Sequence, residues 1–135
     1  MSKKFYGVEF FEKNFISKSN RFNINQIERR EIKKKIQNKN LFVIGAAGSI
    51  GSVFSKQTLL FQPRRVFFLD KDENDLTELN RTVNTISTKA QKEFICDDIL
   101  NFDIKNFCKK YKIDAIFNFS ALKHVRSEEN IFSLR

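Results

Sequence analysis

Apolar residues along this chain fall into short unbroken runs separated by longer stretches with helical spacing. The run LFVI at 41–44 has no polar alternation, the pattern of a strand buried on both faces of a parallel sheet. GAAGSIG follows at 45–51, and residues 49–60 read as a helix with Ile50, Val53, Phe54 and Leu60 as its buried stripe. Pro63 breaks the chain before a second strand, VFFL at 66–69, which ends in Asp70. Leu76, Leu79 and Val83 predict a helix over 73–84, with Asp72 or Asn74 as its cap. A third strand, EFIC at 93–96, runs into Asp97 and Asp98. A short helix over 102–111 and a fourth strand over 113–119 complete the alternation. Upstream, Ile27, Ile32 and Ile36 lie amid charges in QIERREIKKKIQNKN, which predicts a mostly polar helix with a narrow apolar stripe. Residues 20–25 read as loop.

Strands alternating with helices imply right-handed crossovers and a parallel sheet covered on both faces. The fold class is therefore α/β, the N-terminal half of a Rossmann-type sheet with about four strands. The predicted organisation is a basic, partly helical leader over 1–39 and the sheet domain over 40–135. In the doubly wound order the fourth strand lies beside the first across the switch point, so the loop 120–125 faces the ligand crevice.

Three of the four glycines sit in the seven residues after the first strand. In a strand–turn–helix unit the first permits a tight turn, the second lets a ligand approach the backbone, and the third lets helix and sheet pack closely. The helix start then offers free N–H groups to an anion. Asp70, nineteen residues beyond Gly51 at the end of the second strand, is placed to accept from the ribose hydroxyls of a dinucleotide. The competing reading is a ligand-free turn and a solvated aspartate.

Composition adds bounds. With 135 residues, 41% hydrophobic, 30% charged and sixteen Phe, the chain suits one globular domain. No apolar run approaches the roughly 20 residues that span a bilayer, and the N-terminus lacks a signal-peptide core, so a cytoplasmic location is expected. Cys96 and Cys108 form neither a metal-ligand spacing nor a disulfide framework. The net charge of +9 is uneven: residues 1–40 hold eleven Lys/Arg against four Glu, and the remainder is nearly balanced. A solvated helix resting on the main domain accounts for this. The alternatives are contact of the cluster at 29–35 with nucleic acid or an anionic membrane. No nucleic-acid module motif appears, so no nucleic acid is expected as partner.

The turn VIGAAGSIGSV, then FLD, CDD and IFNFSALKHVRSEEN together resemble the polysaccharide-biosynthesis (CapD-like) nucleotide-sugar 4,6-dehydratase branch of the extended short-chain dehydrogenase/reductases. The resemblance covers about 38–135, and the Ala-Leu-Lys-His-Val run is its specific part. It implies that Gly45, Gly48, Ser49, Ile50 and Gly51 cradle the pyrophosphate of NAD or NADP. Asp70 and Lys71 would lie at the adenosine ribose, and Asp97 and Asp98 at the adenine. Ser120, Ala121 and Lys123 would line the nicotinamide side, with Lys123 and His124 near the substrate. In such enzymes hydride leaves the sugar C4, water leaves across C5 and C6, and hydride returns to C6. Related members are epimerases. The implied partners are a UDP-N-acetylhexosamine and, in the complete enzyme, further copies of itself.

The departures are Ile44 for a usual Thr, Val53 for a usual Glu, and a Phe at 119 near the cofactor wall. Tyr6 and Tyr111 both lack a lysine four residues later, so no catalytic residue is expected within this chain, which reads as an N-terminal fragment without turnover. A non-catalytic binding or interaction module is the remaining alternative. NAD is slightly favoured because Asp70 repels a 2′-phosphate, although Lys71 and Arg81 offer compensation.

Overall fold

The structure is a computed structural model that describes residues 24–121. Its elements run α1 (Gln26–Ile36), β1 (Asn40–Ile44), α2 (Ser49–Leu59), β2 (Arg65–Asp70), α3 (Glu73–Val83), β3 (Gln91–Cys96), α4 (Ile104–Tyr111) and β4 (Ala115–Asn118). All strand pairs are parallel and the order is β3-β2-β1-β4. This is the α/β, Rossmann-like half sheet that the alternation predicts, with β4 beside β1. The four described strands leave the chain direction common, so every C-terminal strand end lies on one side.

Alternation along β1 and β2 divides the core into two layers, because successive side chains point to opposite faces. Leu41, Val43, Val66 and Phe68 face α2 and α3, where Leu59, Leu76, Leu79 and Val83 meet them. Phe42, Ile44, Phe67 and Leu69 face α4. On that side Phe107 is the central ring, 4.8 Å from Phe42, 4.9 Å from Phe67 and 4.7 Å from Tyr111, distances favourable for aromatic pairs. β4 is an edge among the described strands, and its Ile116 is 47% exposed.

The helix ends follow local chemistry. Asn25 and Glu28 form a reciprocal capping box on α1, Asp72 caps α3 through the Asp75 N–H, and Asp103 caps α4 through the Asn106 N–H. Of the α1 stripe, Ile36 enters the core and Ile32 packs against it, whereas Ile27 is exposed, so only the second half of the helix is docked. A larger revision concerns α2. Phe54 and Leu60 pack against the core as predicted, but Ile50 and Val53 are 70% and 50% exposed, and the buried face is Gly51, Ser55, Thr58 and Leu59. The cause lies in the approach of α2 to the turn: a Cβ on Gly51 would overlap the Gly45 carbonyl oxygen, so only small side chains fit there. None of the described helices is long and apolar enough to cross a membrane.

Candidate functional site

The C-terminal ends of β1 and β2 place the glycine turn and Asp70 side by side. Gly45 leaves β1 with φ +67, a left-handed conformation that only glycine adopts without strain. It also lies flat against the end of β4: a Cβ there would be 2.6 Å from the Ser120 nitrogen and 2.7 Å from the Phe119 carbonyl carbon. The Ala46 N–H then donates to the Leu69 carbonyl (3.1 Å), and the Ala47 N–H donates to Asp70 Oδ2 (2.9 Å). The other carboxylate oxygen accepts from the Asp72 N–H at 3.1 Å. Asp70 therefore braces both the turn and the start of α3. Each carboxylate oxygen has a further lone pair, so the group can still accept from a ligand.

Gly48 is the N-cap of α2 and supplies no side chain, and the first turn carries no acidic residue. The first helical bond recorded at this end runs from the Ser52 N–H to the Gly48 carbonyl (2.8 Å). That leaves the N–H groups of Ser49, Ile50 and Gly51 without an intrahelical acceptor, at the positive end of the helix dipole. Each of the other three described helices carries its own side-chain cap. Gly45, Gly48, Ser49, Ile50, Gly51 and Asp70 are thus one constellation: an anion-accepting helix start beside a carboxylate acceptor.

The other predicted residues sit around this centre. Lys71 is exposed and its carbonyl accepts the Cys96 thiol at 3.7 Å. Asp97 and Asp98 follow β3, one strand further out; their carboxylates accept the Asp98 and Leu100 N–H groups at 2.7 and 3.0 Å. Ser120 and Ala121 are exposed beyond β4, and both the Ser120 N–H and its hydroxyl donate to Asn118 Oδ1. Lys123 and His124 lie outside the described residues. Phe119 packs 4.9 Å from the Phe54 ring of α2, within the helix-facing core and not as a wall of the crevice. Its place follows from strand alternation, which puts it on the same face as Phe117. Arg81 sits in the last turn of α3, paired with Glu78 at 2.6 Å. Eleven positions beyond Asp70 along a helix rising about 1.5 Å per residue, it is too far to offset that carboxylate.

Two contributors were not singled out from sequence. Ala47 carries the N–H that binds Asp70, and the Ser55 hydroxyl, fully buried, donates to the Ala46 carbonyl at 3.3 Å. The signal available for Ala46 and Ala47 was the smallness of the residues between the glycines. Backbone N–H roles of this kind leave no other trace in side-chain identity.

Comparison with known proteins places the chain in a family. The family model described as polysaccharide biosynthesis protein matches residues 41–134. The chain is 33% identical over 104 residues to the probable polysaccharide biosynthesis protein EpsC of Bacillus subtilis (strain 168), covering 73% of this chain and 17% of that protein. It is 27% identical over 105 residues to the capsular polysaccharide biosynthesis protein CapD of Staphylococcus aureus, covering 74% and 17%. The X-ray structure of Pen from Bacillus thuringiensis aligns with a TM-score of 0.59 and 28% identity over 72% of this chain and 29% of that one. The chain thus spans a minor part of the length of each relative. With the family match running from the first residues of β1 through the whole described sheet, this chain belongs to the polysaccharide biosynthesis protein family.

Proposed function

We propose that residues 45–51 and Asp70 are the dinucleotide-binding half-site of a nucleotide-sugar 4,6-dehydratase, of the kind that acts on UDP-N-acetylhexosamines in polysaccharide biosynthesis. The observation that carries this reading is the uncapped start of α2 beside the Asp70 carboxylate, on a turn where Cβ atoms at Gly45 and Gly51 have no room. The residues fit the group. A pyrophosphate needs N–H donors and a positive end of a dipole, which Ser49, Ile50 and Gly51 offer. A ribose diol needs an acceptor, which Asp70 retains after bracing the turn. Lys71 flanks that position, and Asp97 and Asp98 are the polar groups for an adenine edge. We assign Ser120 and Ala121 to the nicotinamide side, and the family resemblance implies the same side for Lys123 and a substrate role for Lys123 and His124.

Bound NAD(P)+ supplies hydride-accepting chemistry at the sugar C4. The work of this chain's own residues is to bind and orient: Gly45 and Gly51 set the depth of the turn, the α2 start holds negative charge, and Asp70 fixes the ribose. A negative carboxylate at the ribose repels a 2′-phosphate, and Arg81, engaged by Glu78, does not offset it, so NAD+ is the preferred form.

Calorimetric titration of the full chain with NAD+ and NADP+, repeated on Asp70→Ala, tests the proposal. Saturable NAD+ binding, weaker NADP+ binding and a loss of about tenfold or more in the variant are expected, the size of one charge-assisted hydrogen bond. A cooperatively folded chain that binds neither form, or a variant that binds NAD+ unchanged, contradicts it.

A further inference from the structure

The opposite end of the sheet carries a depression of about 860 Å3, within the size range of small-molecule sites. It is walled by residues 37–38 after α1, 62–65 entering β2 and 87–91 entering β3. These are the N-terminal strand ends. With roughly 3.3 Å per strand residue, the six residues of β2 separate the depression from the glycine turn by about 20 Å. Its lining contains the cations Arg64, Arg65 and Lys89, no carboxylate and no aromatic ring. Among the described residues, the head groups of Arg64 and Lys89 have no hydrogen-bonded or ionic partner. Arg65 is anchored through Nε to Gln91 Oε1 at 2.8 Å, with Glu93 at 3.5 Å, which leaves its outer amino groups available.

The walls are tied together. The Thr88 hydroxyl and the Lys89 N–H both donate to Gln62 Oε1, at 3.3 and 3.1 Å, and the Asn38 N–H donates to the Gln62 carbonyl at 3.1 Å. Gln62 and Asn38 are both left-handed, at φ 54 and 59. This backbone is unfavourable for a residue with a Cβ and persists where surrounding bonds hold it. Because Thr88 and Lys89 occupy the side-chain Oε1 of Gln62, its side-chain amide donors remain unused.

We propose that this basin is a second ligand site, for a small phosphorylated and polyhydroxylated anion such as a sugar phosphate. Guanidinium and ammonium groups recognise phosphate oxygens. The amides of Gln37, Asn38 and Gln62 and the Ser87 hydroxyl recognise sugar hydroxyls. A lining without an aromatic ring has nothing on which a base stacks, which sets single-stranded nucleic acid aside. Pro63 is its one apolar residue, too little to seat a membrane surface.

Amide chemical shifts of the full chain, titrated with glucose 1-phosphate, test the site and separate it from the glycine turn. Saturable shifts at 62–65 and 87–91 are expected, with affinity falling about tenfold or more in the double variant Arg64→Gln, Lys89→Gln, at two exposed positions. Shifts confined to 45–51, unchanged affinity in the double variant, or no saturable response from a folded chain overturn the proposal. So does sedimentation with phosphatidylserine vesicles in the absence of any response to glucose 1-phosphate.

Discussion

A methyl group added at Gly51 would overlap the Gly45 carbonyl oxygen, and one added at Gly45 would meet the backbone of Phe119 and Ser120 while forcing a left-handed residue. Both obstacles are backbone atoms, so neither can swing aside. Gly45→Ala and Gly51→Ala are each expected to lower unfolding free energy by about 3 kcal/mol or more in urea titrations, the range of strained or overpacked sites. Gly48 behaves differently, because its backbone (φ -64, ψ 173) is an ordinary N-cap conformation. Gly48→Asp supplies the cap that α2 lacks, so the melting temperature should hold or rise while the added carboxylate repels a pyrophosphate and removes NAD+ binding. A variant that keeps its NAD+ affinity would separate the turn from the cofactor. These residue-scale facts were only partly legible in the sequence. Spacing located the glycines and Asp70, since their roles depend on residue type. The Ala47 bond to Asp70 uses a backbone N–H that every residue but proline has, so no letter marks it.

At the scale of elements, the strands and helices were read correctly where a run of large apolar residues meets an obvious cap, as in α3 with Asp72, Leu76, Leu79 and Val83. Hydrophobicity alone does not give the facing of α2, because close approach to the turn selects small residues and turns Ile50 and Val53 outward. β3 begins at Gln91, three residues before its apolar part, because parallel pairing with Arg65 and Val66 is a backbone matter. On the other face, α4 is held by Phe107 among four aromatic rings, so Phe107→Ala should cost about 3–5 kcal/mol in thermal or urea unfolding. The two cysteines divide along the same line. Burial pushes the Cys108 thiol up and holds it against the Phe42 and Phe67 layer, whereas Cys96 is exposed. Iodoacetamide followed by peptide mass mapping should label Cys96 well before Cys108, because the thiolate is the reacting form.

For the whole molecule, the basic helix α1 is joined to the sheet: Ile36 belongs to the core, Ile32 packs on it, and the Asn38 N–H reaches the Gln62 carbonyl. Ile36→Ala is therefore expected to lower the stability of the entire domain by about 2–4 kcal/mol, as one cooperative transition. A separate early transition would instead make α1 an independent unit. The parallel sheet gathers its chemistry at one end, where β1, β2 and β4 deliver the glycine turn, Asp70 and Ser120 together. Amide chemical shifts of the full chain during NAD+ titration test whether that convergence is a cofactor site. Saturable shifts centred on Ser49, Ile50, Gly51 and the amides braced by Asp70 are expected. A folded chain in which those amides stay still as NAD+ rises to millimolar levels would contradict it.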